Sequence, residues 1–442
     1  MRALPIQNIC EEAYPPAAAN LIDHIDGVEG RFHRADLEQA AGRLSQQYSE
    51  AIQMIYMDPP FYTGQSFSFV QPVGERGYGG DKAYRLTHTA YRDPAADRDV
   101  YLAHMGRVFR AAYEMLAPSG SLYLHVDYRA AAYLKLLLDD IFGEDNFLNE
   151  IIWHYRSGGR SVHHFSRKHD TIFLYRKSSD FYFDIESVGQ ERGDTPRNHM
   201  KRQVDENGRV YFSIRSGGKE YRYYADEKIY PSDVWDDISH LQQRDPERTG
   251  YDTQKPKDLL ERIISVSSRP GDTVADLFAG SGTTLAAAQG LKRRYVGVDR
   301  SPYSLAVARR RLIPNSLGMV CLKDTLRDGT GAPWLCDVTA THAHQKIQVG
   351  IKALTASECP EDDLPAGIPK WEHIDGWAAG RVDGECFYPL KWAMRSAEKP
   401  ALPRTLSIPA ETRSGLPLGI ALYDVWGRAS YFTMEQPEDA GE

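Results

Sequence analysis

Two stretches of this chain hold residue types and spacings that could do chemistry. The first is Met57-Asp58-Pro59-Pro60-Phe61-Tyr62-Thr63-Gly64. It follows Ile52-Gln53-Met54-Ile55-Tyr56-Met57, an almost continuous apolar run of strand length, which reads as a buried parallel strand. Open α/β sheets bind ligands at the carboxyl ends of their strands, and Asp58 stands at such an end. Pro59 and Pro60 each lock φ, remove a backbone N–H and push the preceding residue into an extended conformation. The result is a rigid, donor-free segment that offers a carboxylate and main-chain carbonyls beside the aromatic ring of Phe61. Such a segment could grip an NH2 group on a flat ring. A plain strand ending in a proline turn would look the same in isolation.

The second stretch is Asp276-Leu277-Phe278-Ala279-Gly280-Ser281-Gly282-Thr283-Thr284, a strand running through a glycine turn into a helix. Gly280 and Gly282 let the backbone approach a ligand closely, and the helix N-terminus supplies oriented N–H groups. No Gly-Lys-Ser/Thr follows, so this is not a phosphate-binding P-loop, and the missing third glycine argues against a dinucleotide. Asp299 ends the next strand, nineteen residues past Gly280, where an acid can accept from ribose hydroxyls. A glycine turn and a ribose acid without phosphate chemistry suggest a nucleoside-type cofactor such as S-adenosylmethionine. A tight strand-to-helix turn is the simpler alternative for this stretch taken alone.

The elements that must position these residues alternate between strand and helix. A strand-like piece from Arg31 to Asp36 leads to a helix over Leu37 to Gln47. Helical periodicity runs from Asp97 to Leu116 and stops at Ala117-Pro118-Ser119-Gly120. Ser121 to Asp127 reads as a buried strand and Ala130 to Phe142 as a helix. Later come a helix from Asp258 to Ser268, strands at Thr273 to Phe278 and Tyr295 to Asp299, and helices at Ser281 to Gly290 and about Pro302 to Leu312. That alternation predicts parallel α/β layers. Thr63 to Asp93, rich in Gly, Tyr and Ser, reads as a long loop that could close over a ligand. Residues 153 to about 245 read as a mostly β insertion, and the text past Asn315 as an acidic, β-rich unit with Trp371, Trp377, Trp392 and Trp426 in its core.

With 442 residues, 42% hydrophobic and 26% charged, the chain has the composition of a globular protein with one large core and smaller units. Met1-Arg2-Ala3-Leu4-Pro5 leads into no apolar leader core, no stretch is long enough to span a bilayer, and five unpaired-looking cysteines suggest a reducing compartment. A cytoplasmic protein without a membrane partner is expected. His154, His163, His164 and His169 have no cysteine or acid cluster at ligand spacing, so no metal site is expected. A net charge of −8 argues mildly against a nucleic-acid partner. Residues 331–442 alone hold 10 Lys+Arg against 16 Asp+Glu, however, so that tail carries −6 of the total. Trp153 to Lys177 holds six basic side chains against Asp170 alone. Arg156, Arg160, His163, His164, Arg167 and Lys168, interleaved with aromatics, are candidates for contacts with phosphates and bases. A solvated hairpin face is the plain alternative.

Together the two motifs resemble those of the β-class DNA amino-methyltransferases, which methylate exocyclic amines of bases, and the chain looks similar to modification subunits of type III restriction systems. Asp58-Pro59-Pro60-Phe61 resembles the family's catalytic motif and Phe278-Ala279-Gly280-Ser281-Gly282 its cofactor motif. Thr253-Gln254-Lys255-Pro256 resembles the segment that closes over the methionine part of S-adenosylmethionine. The resemblance covers roughly residues 30 to 315. It implies a Rossmann-like methyltransferase fold, circularly permuted, with a mostly parallel seven-stranded sheet. It divides the chain into a catalytic half (1–152), a target-recognition insertion (153–245), a cofactor half (246–318) and a C-terminal accessory domain (319–442). It places Asp36 near the cofactor's adenine, Asp299 on its ribose, and Thr253, Lys255, Pro256, Asp276, Phe278, Ala279, Gly280, Ser281, Gly282 and Thr283 around it. Double-stranded DNA is the implied partner, with a restriction subunit or self-association as protein partners.

The implied reaction draws on Asp58 and the Pro59 carbonyl as acceptors for the two N–H bonds of the amine, which aims its lone pair at the sulfonium methyl. The base must be flipped out of the duplex to reach them, with Phe61 as stacking partner. Asp58 favours adenine N6, because Ser is commoner there in the cytosine-N4 group. Cytosine-N4 methylation, methylation of RNA or of a protein glutamine amide, and a non-catalytic DNA-binding protein with a relic fold remain the alternatives.

Overall fold

The computed structural model describes residues 22–23, 30–61, 63–93, 97–155, 161–194, 200–312, 321–324, 334–343, 345–356, 367–383 and 386–434. Its centre is a sheet of ten described strands: β1 Ile22–Asp23, β2 Gly30–Arg34, β3 Ile52–Met57, β4 Leu116–Val126, β5 Phe147–His154, β6 His169–Arg176, β7 Val234–Trp235, β8 Thr273–Asp276, β9 Arg294–Asp299 and β10 Cys321–Asp324. Their spatial order is β1-β10-β2-β9-β8-β3-β4-β6-β5-β7. The six strands from β10 to β4 run parallel, while β1, and β6 between β4 and β5, run antiparallel to their neighbours. This is the expected Rossmann-like methyltransferase layer, with ten strands rather than seven because β1 and β10 extend one edge and β7 the other.

Among the described residues, six helices flank the parallel strands: α1 Leu37–Gln47, α2 Arg98–Met115, α3 Ala131–Phe142, α4 Lys257–Ser267, α5 Thr283–Gly290 and α6 Pro302–Leu312. In α1 and α4 the sequence sets apolar residues on one stripe. In α1, Leu37, Ala40, Ala41 and Leu44 recur at helical spacing and are buried, and Asp36 caps the start by accepting from Glu38 N at 3.0 Å. In α4 the buried stripe is Leu259, Leu260, Ile263 and Ile264. β3 is buried at every residue, as its unbroken apolar run requires.

The register of β8 against β3 positions the site. Val274 pairs with Met54, Ala275 with Ile55 and Asp276 with Tyr56. From β3 the chain leaves through α2 to β4 on one side; from β8 it leaves through α5 to β9 on the other. The strand order therefore reverses between β3 and β8, and the carboxyl ends there flank a crevice suited to a ligand. Asp58 and the glycine turn, more than 200 residues apart in sequence, become neighbours through this one pairing.

Three expectations need correction. The insertion does not begin at residue 153: β6 and the short β7 belong to the central sheet, and the separate β structure lies between Gln190 and Ile229, with a meander over Lys201–Val204, Val210–Ser216 and Lys219–Tyr224. Thr171 to Tyr175 is buried throughout, and a strand of that kind needs cover on both faces. Thr63 to Asp93 is not a structureless loop but a hairpin, Ser66–Pro72 against Arg85–Arg92, with a short helix Gly74–Tyr78 at its tip. Nor is that hairpin free to close, because its tip docks on the C-terminal unit. Val73 and Leu86 join the core that holds Trp334, Trp371, Trp377 and Trp426, whereas Trp392 is only partly buried. Asp375 accepts from Tyr78 Oη at 2.7 Å and Gln71 Nε2 at 3.1 Å and pairs with Arg310 of α6 at 3.3 Å. The C-terminal unit itself is a three-stranded sheet and a four-stranded sheet around this core.

Candidate active site

Asp58 emerges from β3 into the crevice. Its Oδ2 accepts from Lys255 Nζ at 2.6 Å, and both side chains are under one-fifth exposed. Its Oδ1 is buried with no hydrogen-bond partner among the described residues. The proline turn beyond is held from two sides. Tyr101 Oη donates to the Pro60 carbonyl at 2.9 Å, and Thr63 donates from both N and Oγ1 to Asp93 Oδ2 at 3.1 and 2.6 Å. Asp93 Oδ1 is likewise buried without a partner among the described residues. The Phe61 ring stacks towards the His125 imidazole, with centroids 6.4 Å apart and planes 22° apart.

Across the crevice, Gly280 and Gly282 have φ of 48° and 71°, a left-handed backbone that favours glycine. Asp299 fixes this turn: Oδ2 accepts from Gly280 N and Oδ1 from Ser301 N, each at 2.8 Å. Burial raises the Asp299 carboxyl above its ordinary value despite those bonds. Asp276 is also buried, accepts from Phe278 N at 3.0 Å and from Thr284 Oγ1, and burial pushes its carboxyl up to about 7. Thr283 Oγ1 donates to the Lys255 carbonyl at 3.2 Å, tying the glycine turn to the segment that supplies the lysine.

Two cavities meet here. The first, about 510 Å³, is lined by the glycine turn, Asp36, Asp276 and Asp299, with Tyr251 and Leu260 beside them. The second, about 390 Å³, is lined by Pro59, Phe61, Asp93, Asp127, Tyr155 and Asp170 among others. Asp58, Tyr91, Thr253 and Lys255 line both.

Residues 52–310 match the family model described as DNA methylase. The chain belongs to the DNA methylase family. It is similar to the type II methyltransferase M.EcaI of Enterobacter cloacae, 26% identical over 378 residues that cover 74% of this chain and 79% of that one. It is 25% identical over 275 residues to the DNA adenine methyltransferase YhdJ of Escherichia coli, covering 62% and 80% of the two chains. A probable type III restriction-modification enzyme HindVI Mod subunit of Haemophilus influenzae is 25% identical over 412 residues, covering 67% of this chain and 52% of that one. Among solved structures, the M1.HpyAVI–SAM complex covers 64% of this chain and 98% of its own at 18% identity, with a TM-score of 0.40. S-adenosylmethionine is the cofactor of this methylase.

The first cavity of the methylase fits that cofactor: it combines a close-approach glycine turn, buried acids and apolar walls. Of the residues assigned to it from sequence, Asp36, Thr253, Lys255, Asp276, Phe278, Ala279, Gly280, Ser281, Thr283 and Asp299 line it. Pro256 and Gly282 do not; they cap the starts of α4 and α5. Lys255 differs most from its expected part, since its ammonium binds Asp58. Asp36 lies on the wall as an N-cap, with Arg300 at 3.9 Å.

Of the residues expected to contact DNA, Arg156 and Arg160 lie outside the described residues. His163 and His164 sit on an exposed turn, and Lys168 is half-buried with its carbonyl accepting from Tyr155 N at 2.9 Å. Arg167 lines the second cavity, its guanidinium 4.1 Å over the Tyr128 ring. Asp127 lines it too, accepting from Arg129 N and Nε at 2.9 and 2.6 Å. A hydrogen-bonded chain, whose partners no local pattern supplied, runs from the cavity wall into the sheet. Tyr56 Oη meets His125 Nδ1 at 2.8 Å, His125 Nε2 meets Asp170 Oδ2 at 3.1 Å, and Tyr155 Oη donates to Asp170 Oδ1 at 3.2 Å. Burial would raise the Asp170 carboxyl, but the hydrogen bond and charge of His125 hold it below its ordinary value. Sequence reasoning also missed Glu247 and Gln254, which brace the Lys255 segment: Gln254 Oε1 accepts from Thr249 N at 2.8 Å and Glu247 accepts from Lys257 N at 3.1 Å. Gln254 follows Thr253 in a motif already singled out, and that place was the one signal the sequence offered.

Proposed function

We propose that this DNA methylase transfers a methyl group to the exocyclic N6 of adenine in double-stranded DNA, with the base flipped into the second cavity. The observation that carries the reading is the buried, unpartnered Oδ1 of Asp58, an acceptor at the junction of the two cavities. A buried acceptor left unsatisfied is costly, and an amine N–H at that point removes the cost. Bound in the first cavity, S-adenosylmethionine supplies a methyl group on a sulfonium leaving group. Lys255 fixes the other oxygen of Asp58, so the free one is aimed before substrate arrives. The Pro59 carbonyl accepts the second N–H, and the amine lone pair is left pointing at the first cavity. Asp58 Oδ1 would take the proton that the nitrogen sheds on methylation. Tyr101, Thr63 and Asp93 keep the proline turn still through this step.

Adenine is favoured by Asp58 itself, since the resemblance associates Ser with cytosine-N4 transfer at that position, and by the similarity to YhdJ, a DNA adenine methyltransferase. The test is to express the chain in cells without other DNA methylation, digest their DNA to nucleosides and analyse them by mass spectrometry. N6-methyldeoxyadenosine is expected; N4-methyldeoxycytidine would overturn the base assignment, and the absence of both would overturn the activity.

A further inference from the structure

Phe165 is the most exposed of the large apolar side chains described, at 98%, with Val162 at 88% on the same turn. A lone exposed apolar residue is ordinary. Three features of this one are not.

The first is its place. β5 and β6 pair through Trp153–Asp170 and His154–His169, and the connection between them leaves from the carboxyl edge of the sheet, the edge that carries Asp58. Its two roots line the second cavity: Tyr155 on one side, Arg167, His169 and Asp170 on the other. Phe165 is two residues from Arg167, so its Cα lies within roughly 7 Å of that residue's. The second is the turn itself. Ser166 Oγ accepts from Ser161 N at 3.2 Å, Ser161 Oγ accepts from His164 N at 3.3 Å, and the His164 ring lies 2.9 Å from the Phe165 carbonyl. These bonds of Ser161, His164 and Ser166 brace the backbone of the turn, while the side chains of Val162 and Phe165 make no such bond and stand exposed. The third is the setting: Arg167 and Lys168 follow directly, and His163 and His164 share the turn, a basic surround suited to phosphates.

We propose that Phe165 is a wedge that enters the duplex and fills the gap left in the base stack when the target base is turned into the second cavity. The proposal rests on the reading of that cavity as the base site. An aromatic ring replaces part of the lost stacking whatever the neighbouring bases are, because every base presents a π-face. Phe165 is thus a positioning residue: it shifts the equilibrium between stacked and extruded base and touches no reacting atom.

The experiment compares the native chain with Phe165→Ala and Phe165→Trp on two duplexes carrying the methylated sequence. In one the target base is paired; in the other it faces an abasic site, which makes extrusion easy. Fluorescence of 2-aminopurine at the target position reads extrusion directly. Phe165→Ala should lose at least about tenfold in single-turnover rate and most of the fluorescence rise on the paired duplex. It should come within about twofold of native on the abasic partner, and Phe165→Trp should keep the native rate on both. Equal losses on the two duplexes, or no loss on the paired one, would overturn the wedge. So would a loss accompanied by a change of oligomeric state, which would mark the turn as a self-association surface. If the native chain gives no fluorescence rise on the paired duplex, the base-site reading fails with it. A rise shared by native and Phe165→Ala overturns the wedge alone.

Discussion

The acids on the two sides of the crevice are built differently. On the cofactor side, Asp276 and Asp299 each accept through both oxygens from donors of the turn and helix around them. On the base side, Asp58 and Asp93 each have one oxygen engaged and the other buried without a partner among the described residues. A satisfied acid holds a shape; an unsatisfied buried one calls for a donor the protein does not supply. On the function proposed above, the difference separates the residues that build the cofactor turn from Asp58, which awaits the amine.

If that separation is right, it breaks in a set order. The largest effect belongs to Asp58→Ala. Methyl transfer should fall by at least ~10²-fold, the scale of a lost electrostatic contact in a transition state, while calorimetry shows S-adenosylmethionine still bound. Near-native turnover would remove the mechanism. Next comes the lysine. Lys255→Met leaves the Asp58 charge buried without its partner and should cost about 3 kcal/mol of stability in denaturant titration. Adding Asp58→Asn should recover most of that stability and none of the activity, a coupling that independent sites would not show.

Asp299→Ala should do the reverse of Asp58→Ala, weakening cofactor affinity by roughly 1.5–3 kcal/mol with DNA binding largely kept. Collapse of DNA affinity with cofactor affinity intact would mean that the two sides have been exchanged. Per pH unit, the smallest effect is that of Asp276. Its carboxyl is raised to about 7 by burial, so the folded state holds a proton that the unfolded chain releases near its ordinary value of ~3.9. The stability from this group is therefore present below about pH 4 and lost as pH rises through about 7, with a slope of at most about 1.4 kcal/mol per pH unit. Asp276→Asn should flatten that part of the stability–pH curve, and an unchanged slope would assign it to other groups.

Much of the cofactor side was legible in the sequence because its signals are local. An apolar run, a glycine turn and a strand-ending acid lie within 24 residues, Asp276 to Asp299. Asp299 was expected to hold a ribose; in the structure its oxygens accept from two backbone N–H groups, that of Gly280 in the turn and that of Ser301 ahead of α6, partners the sequence did not indicate. The base side depends on long-range register instead. Lys255 reaches Asp58 across 197 residues only because β8 pairs with β3. In the hairpin, Gly77-Tyr78-Gly79-Gly80 hid a strand pattern whose inward residues, Phe69 and Gln71, pack on Tyr251 and bond Asp375. No local reading supplies those partners. Thr171 to Tyr175 was assigned to the insertion because its basic surroundings outweighed its own unbroken apolar run.

The most direct test is a structure of this methylase with its duplex and S-adenosylhomocysteine bound. The account predicts the exocyclic nitrogen of the flipped base within 2.6–3.2 Å of Asp58 Oδ1, with Lys255 still on Oδ2. A base seated in the second cavity whose amine turns away, leaving Oδ1 as bare as it is now, would contradict it.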